Sequence, residues 1–244
     1  MGALIEAQER ARVHRNGARI LGGVIVTFDL FSALTDSRTG GSAVLGDLAA
    51  RRGWEVPGTE LYDRWDGHNK ALQRTAHPPV TFADLSREAL ARAYTDLGLG
   101  RGTVDADLAA VQASVAQWPL WADVAEGVAA VAAEHRVGIL SNVDDALART
   151  TRAARLVDPE LLLTSQRLGA YKPDPEIYRR AAAAVAPARL VHVAASARDV
   201  RGALESGLAT VRLARTGHAL DAGGPRPPHE VQSATDLPEV LRAL

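Results

Sequence analysis

The chain has 244 residues, a formal net charge of −1 and no cysteine. That length accommodates one large domain, or a core carrying an insertion, with a substantial buried interior. The near-neutral charge gives no electrostatic case for nucleic acid or an anionic membrane surface, and the lack of cysteine excludes disulfides, thiolate metal sites and a cysteine nucleophile.

Residues 1–19 are polar and charged, with Ile5 and Val13 as isolated apolar points, and read as an N-terminal arm. They lack the basic-then-apolar order of a secretory signal. No apolar run reaches the length of a bilayer span, so the expected location is cytoplasmic. The β-branched run Val24-Ile25-Val26-Thr27-Phe28 then ends on Asp29. It predicts a buried strand that presents Asp29 at its carboxyl end, the end that faces the ligand crevice in open α/β sheets. A carboxylate there caps the next turn, binds a cation, or attacks an electrophile.

Residues 35–41 read as a loop. Four helical patterns follow with no strand between them, over 42–52, 59–73, 81–97 and 104–117. Thr81 and Asp84 approximate a capping box for the third, and Leu85, Ala89, Leu90 and Ala93 give it an apolar stripe. The second carries Tyr62, Arg64, His68, Asn69 and Lys70, which make either a solvated face or a substrate-facing one. After Trp118-Pro119-Leu120-Trp121 the pattern alternates. Helices are predicted over 123–135, 144–156, 174–185 and 197–206, and strands over 137–141, 161–164, 190–194 and 210–213. A Pro/Gly-rich loop over 217–228 and a helix over 237–244 close the chain. Such alternation predicts an α/β fold: a Rossmann-like parallel sheet with helices on both faces. The core takes residues 20–36 and 118–244, and the helical insertion residues 37–117.

Three further stretches sit at strand ends. Ser141 and Asn142 end the second strand. Lys172 lies in Tyr171-Lys172-Pro173-Asp174-Pro175 at a loop-to-helix junction, and Asp199 follows the strand over 190–194. Singly, each has a plain reading: a strand-end cap, a surface lysine, an acid complementing a helix dipole. Taken in order, with each just after a strand, the series Asp29, Ser141, Lys172, Asp199 resembles the haloacid dehalogenase superfamily. The resemblance runs from about Val24 to Leu213.

The resemblance implies that the helical insertion is an all-α cap closing over the crevice. It implies that Asp29 attacks the substrate to form a covalent aspartyl ester, which water hydrolyses. Lys172 then holds Asp29 charged, Ser141 hydrogen-bonds a substrate oxygen, and Asp199 positions Lys172 or the water. Phosphatases of the superfamily carry a second Asp two residues after the nucleophile, as general acid. Here that residue is Phe31, which cannot protonate a leaving alkoxide. An acidic magnesium ligand of phosphatases falls on Ala195. Any Mg²⁺ would have only Asp29 and Asp199.

Phe31 and Asn142 match the dehalogenase branch, in which halide departs without a proton, and Tyr178 is either the aromatic that branch carries near the site or core packing of its helix. Ala33, Ala194 and Ser196 depart from that branch too, and its cap arginine aligns near Asp63, leaving Arg64 as the candidate anion-binding residue. The expected protein is therefore a 2-haloacid dehalogenase-like, metal-independent hydrolase with no cofactor. Its substrate is a small anionic molecule, and it is a monomer or homodimer. A Mg²⁺-dependent phosphatase with an atypical site, and a non-catalytic ligand- or partner-binding member, are the alternatives.

Overall fold

Strand β1, Val24–Phe28, is buried on both sides. Val26 and Phe28 pack into one apolar cluster and Ile25 into another, the two-residue alternation of a pleated strand. The computed structural model describes residues 23–77 and 79–244, so the expected N-terminal arm lies outside the described residues. Strands β2 (Arg136–Ser141), β3 (Leu162–Thr164), β4 (Arg189–Ala194), β5 (Ala209–Leu213) and β6 (His229–Val231) complete a six-stranded sheet. Its order is β3-β2-β1-β4-β5-β6 and every pairing is parallel. The chain builds outward from β1 to β3, then crosses back to place β4 on the other side of β1. The carboxyl ends of β1 and β4 therefore flank the topological switch point, where open parallel sheets bind ligands.

Four helices, α1 (Ser37–Arg52), α2 (Gly58–Gln73), α3 (Phe82–Asp96) and α4 (Val104–Ser114), form the insert between β1 and β2. They bury a cluster of their own around Leu45, Leu61, Trp65, Leu90, Tyr94 and Leu108. Beyond the insert, α5 (Val124–Ala132) leads to β2, and the short α6 (Asp145–Thr150) lies between β2 and β3. Then come α7 (Ser165–Leu168), α8 (Pro175–Val185), α9 (Ala197–Glu205) and, at the end of the chain, α10 (Leu237–Arg242). Val124, Val128 and Val131 of α5 and Leu237 and Leu241 of α10 pack on the Val26/Phe28 side. Ile177 and Ala181 of α8 and Ala203 of α9 pack on the Ile25 side. The sheet is thus covered on both faces, as the alternating pattern predicts. Among the described residues no helix is long and apolar enough to cross a membrane.

The insert leaves and rejoins the core through two adjacent crossings. Thr35 and Leu120 form an antiparallel bridge, with Asp36 N–H donating to Pro119 O at 2.9 Å and Trp121 N–H to Leu34 O at 3.1 Å.

Three local readings are corrected. The expected loop over 35–41 gives way to helix at Ser37, because the Asp36 side chain accepts from Thr39 N–H and starts α1 early. Gly40 and Gly41 sit inside that helix, where a Cβ would run into Trp118 and Tyr62 respectively. The helix expected over 144–156 ends as α6 at Thr150. The Thr151 hydroxyl donates to Ala148 O and accepts from Ala154 N–H, so a side-chain turn replaces the continuing helix. Strand β6 follows the Pro/Gly-rich loop and was not expected; its three residues are too short to show a period.

Candidate active site

Asp29 follows β1 directly, and its N–H donates to Val193 O at 2.9 Å, fixing the chain just past the sheet. Leu30–Leu34 then make a tight turn with Asp29 at its head. Asp29 Oδ2 accepts from Ser32 N–H at 2.9 Å and from the Ser32 hydroxyl. Oδ1 accepts from Lys172 Nζ at 2.7 Å. The same ammonium donates to Asp199 Oδ2 at 2.5 Å and to Leu140 O at 2.9 Å. An ammonium has three protons, and here each has an acceptor.

The residues around this trio hold it from behind. Asp199 lies in the first turn of α9, and its Oδ1 accepts from Tyr178 OH at 2.8 Å. His192 Nε2, on β4, lies 3.2 Å from Asp199 Oδ2, and its Nδ1 lies 3.1 Å from Thr27 Oγ1 on β1. An ionised carboxylate only accepts, so Nε2 is the protonated partner in that contact. The Lys172 backbone is clasped by Asn142, whose Oδ1 accepts from Lys172 N–H at 2.7 Å and whose Nδ2 donates to Lys172 O at 2.9 Å.

Asp29, Lys172 and Asp199 are all buried. Burial by itself raises a carboxyl pKa, and Asp199 adds repulsion, yet the Lys172 ammonium outweighs both and holds Asp29 below the usual carboxylate range. Asp199 is likewise lowered: burial opposes its charge, and Lys172 and His192 overcome it. Burial works against the Lys172 charge too, but the two carboxylates raise its pKa above the ordinary lysine value. The arrangement keeps Asp29 ionised, desolvated and aimed, as nucleophilic attack by a weak base requires.

A cavity of about 680 Å³ opens between the sheet end and the insert. Asp29, Phe31, Ser141, Asn142, Lys172 and Asp199 line it, so the structure brings six of the eight expected site residues to one cavity. It places the other two elsewhere. Tyr178 is buried behind Asp199, because the inward face of α8 packs on the sheet. Arg64 is exposed, because Leu61, Trp65, Asn69 and Gln73 take the inward face of α2 at four-residue spacing. Arginine reaches the cavity instead from Arg38, which pairs with Asp63, and from Arg198. Arg198 donates to Lys70 O at 3.1 Å and to Gln73 Oε1 at 2.5 Å, and Gln73 Oε1 also accepts from Asn142 Nδ2 at 2.9 Å.

Sequence reasoning assigned no role to Ser32, Gln73, His192 or Arg198. Asn69 and Gln73 continue the stripe begun by Leu61 and Trp65. Amides on an otherwise apolar stripe were the signal available for them.

A model of the haloacid dehalogenase-like hydrolases matches residues 25–207. The chain belongs to this family. Among solved structures it is similar to the defluorinating L-2-haloacid dehalogenase Rha0230, with 27% identity, a TM-score of 0.76, and 91% of this chain and 95% of that one covered. The L-2-haloacid dehalogenase PA0810 matches at 26% identity and a TM-score of 0.75, covering 91% of this chain and 100% of that one. The L-2-haloacid dehalogenase from Xanthobacter autotrophicus, solved with chloropropionic acid covalently bound, shares the fold at 19% identity and a TM-score of 0.76, covering 91% and 99%. No curated protein sequence matches the chain.

Haloacid dehalogenase-like hydrolases include phosphatases that use Mg²⁺, an ion that seeks six oxygens in octahedral array. Both carboxylate oxygens of Asp29 and both of Asp199 already accept from protein donors. Ala195 offers no oxygen from its side chain. Among the described residues no three His, Asp or Glu side chains converge on one point. The donor set at this sheet end does not fit the ion.

Proposed function

We propose that this haloacid dehalogenase-like hydrolase acts on a 2-halocarboxylate, with Asp29 as nucleophile and residues 37–117 as the cap over the site. The observation that carries the reading is the state of Asp29. It is buried, ionised by Lys172, oriented by Ser32, and beside Phe31 where a phosphatase needs a proton donor. A departing halide needs no proton, so Phe31 is compatible with carbon–halogen cleavage and not with alkoxide departure. The similarity to Rha0230 and PA0810 supports the same substrate class.

In the first step an Asp29 carboxylate oxygen bonds to the 2-carbon, and the halide leaves with the electron pair of the broken bond. The negative charge passes from Asp29 to the halide while Lys172 and Asp199 stay in place. Water then adds to the carbonyl carbon of the Asp29 ester. The bond from the Asp29 carbonyl carbon to the ester oxygen breaks. That oxygen, originally one of Asp29's, departs in the 2-hydroxy acid with one proton of the water, and the second proton reaches solvent as Asp29 reionises with the water's oxygen in its carboxylate. Ser141, on the wall beside Asp29, contacts the bound substrate, Asn142 beside it holds the Lys172 backbone, and Asp199 positions Lys172 throughout.

A single turnover in ¹⁸O-water tests the covalent route. Hydrolysis of the ester at its carbonyl leaves the label in the Asp29 side chain, found by peptide mass spectrometry, and none in the first product. Label in the product alone shows direct attack by water and overturns the proposal. Halide release from 2-chloropropionate should persist in EDTA.

A further inference from the structure

We infer, building on that reading, that the substrate is a carboxylate with a bulky apolar group on its 2-carbon, that Arg198 takes its carboxylate, and that the aromatic wall around Phe31 takes its apolar group. The first observation is size. A water's share of liquid volume is about 30 Å³, so the cavity has room for roughly twenty. A haloacetate displaces only a few of them.

The second is that the lining gathers apolar side chains from several elements around Phe31, and charged and amide groups where α9 meets the end of α2. One wall carries Phe31, Phe82, Leu108, Val111, Trp118 and Leu147, from the turn after β1, from α3, α4 and α6, and from the return crossing. Phe31 stacks on Phe82 at a centroid distance of 6.2 Å and meets Trp118 edge-on at 6.1 Å. The other wall carries Arg198 from the first turn of α9 and Lys70 and Gln73 from the last turn of α2. An apolar surface of that extent recognises an apolar body, and it has no use for an acid that is little more than a carboxylate.

The third is the state of Arg198. It is half-buried on the cavity wall. Among the described residues it donates only to two neutral acceptors, Lys70 O and Gln73 Oε1. A guanidinium has five N–H donors, so most of its fork remains for a ligand. The other arginine on the wall, Arg38, is already matched in bidentate fashion by Asp63. Lys70 pairs with Asp66 one turn away. Among the described residues Arg198 is thus the cavity cation not paired with an anion, and its planar fork suits a carboxylate.

Halogen-free ligands test this without turnover. Calorimetry with 3-phenylpropionate, propionate and 3-phenylpropanamide separates the two ends. The expected result is at least tenfold tighter binding of 3-phenylpropionate than of either other ligand. Arg198→Gln should abolish the preference for acid over amide, and Arg198→Lys should retain part of it. Leu147→Trp, which fills the apolar wall, should weaken 3-phenylpropionate at least fivefold and leave propionate unchanged. Equal affinity for the three ligands, no binding of any, or an acid preference that survives Arg198→Gln in a folded protein overturns the inference. Should Arg198→Gln not fold, an Arg198→Lys protein with undiminished acid preference also overturns it. Halide release from 2-chloro-3-phenylpropionate is measured in parallel. Binding in the expected pattern with no halide released from any 2-haloacid refutes the dehalogenase reading and leaves the ligand class standing.

Discussion

The sheet side of the cavity and the insert side hold their charges in different ways. On the sheet side, Asp29, Lys172 and Asp199 are buried and consume one another's hydrogen-bonding capacity, with Ser32, Tyr178 and His192 completing the set. On the insert side the charges near the cavity pair at the surface, Arg38 with Asp63 and Lys70 with Asp66, and the one buried carboxylate among the described residues there, Asp107, pairs with Arg52 away from the cavity. A buried ion pair is costly to break because the survivor is left without solvent, whereas an exposed pair is worth little. The sheet side therefore tolerates almost no change, and the insert side tolerates much. A reaction needs the first property and substrate selection the second.

Asp29→Asn tests the rigid side most severely. The amide keeps the shape and is a poor nucleophile, so halide release should fall by about three orders of magnitude or more; loss of the charge opposite Lys172 lowers the melting temperature as well, and circular dichroism checks that the variant is folded at the assay temperature. A variant that releases halide at near wild-type rate would falsify the role given to Asp29.

Lys172→Met should come next, and it acts on stability as well. It leaves two buried carboxylates facing each other, at an expected cost of about 3–5 kcal/mol by urea unfolding. The fall in kcat should exceed any rise in KM. The pH dependence follows from the shifts. Asp29 and Asp199 have lowered pKa values, so their contribution to stability is complete above the ordinary carboxylate value of 3.8 and is lost as pH falls through the folded value. Lys172 is raised, so its contribution is complete below 10.5 and is lost only as pH climbs through its folded value. The wild-type network is thus at full strength across the whole interval between. Asp29 should impose no acid limb on activity above about pH 4. In Lys172→Met burial is opposed only by the Ser32 hydrogen bonds, and the limb should move upward. A pH profile unchanged by the substitution would show that Asp29 owes its ionisation to something else.

Gln73→Ala probes the seam between the two sides. It removes the acceptor shared by Asn142 and Arg198. A loss of about 1–3 kcal/mol is expected from the stranded donors, with a several-fold drop in kcat/KM; unaltered kinetics would show that the seam does not reach Lys172. The smallest effect belongs to the insert surface. Arg64→Ala should leave KM for anionic substrates unchanged, and breaking Arg38–Asp63 should leave the urea midpoint nearly where it is. A raised KM in Arg64→Ala would place that side chain inside the cavity after all.

These predictions divide along the same line as what the sequence made readable. Ser141 ends a strand and Asp29, Lys172 and Asp199 come after one, and a parallel sheet turns all its carboxyl ends to one side. Their order along the chain therefore foretells their meeting in space. The insert carries no such rule. Whether Arg64 or Gln73 faces inward depends on the rotation of α2, which is set by Leu61 and Trp65 seeking the apolar cluster. Arg198 stands next to Asp199 in the chain, but its reach to the end of α2 is a tertiary contact with no local signature. Gly40 and Gly41 read as a loop because their purpose, close passage of Trp118 and Tyr62, lies elsewhere in the chain.

The bridge between Thr35 and Leu120 has a consequence for how such a protein is altered. Both covalent connections to the helical block pass through one isolated antiparallel bridge, whose two chains lie about 5 Å apart. The block is a cassette on a two-wire socket. A tight turn suffices to join the wires and delete it, and a foreign helical segment with matched ends can be spliced in its place, because no sheet pairing crosses the splice. The buried ions at the end of β1 would stay where they are, while the chamber above them changed owner.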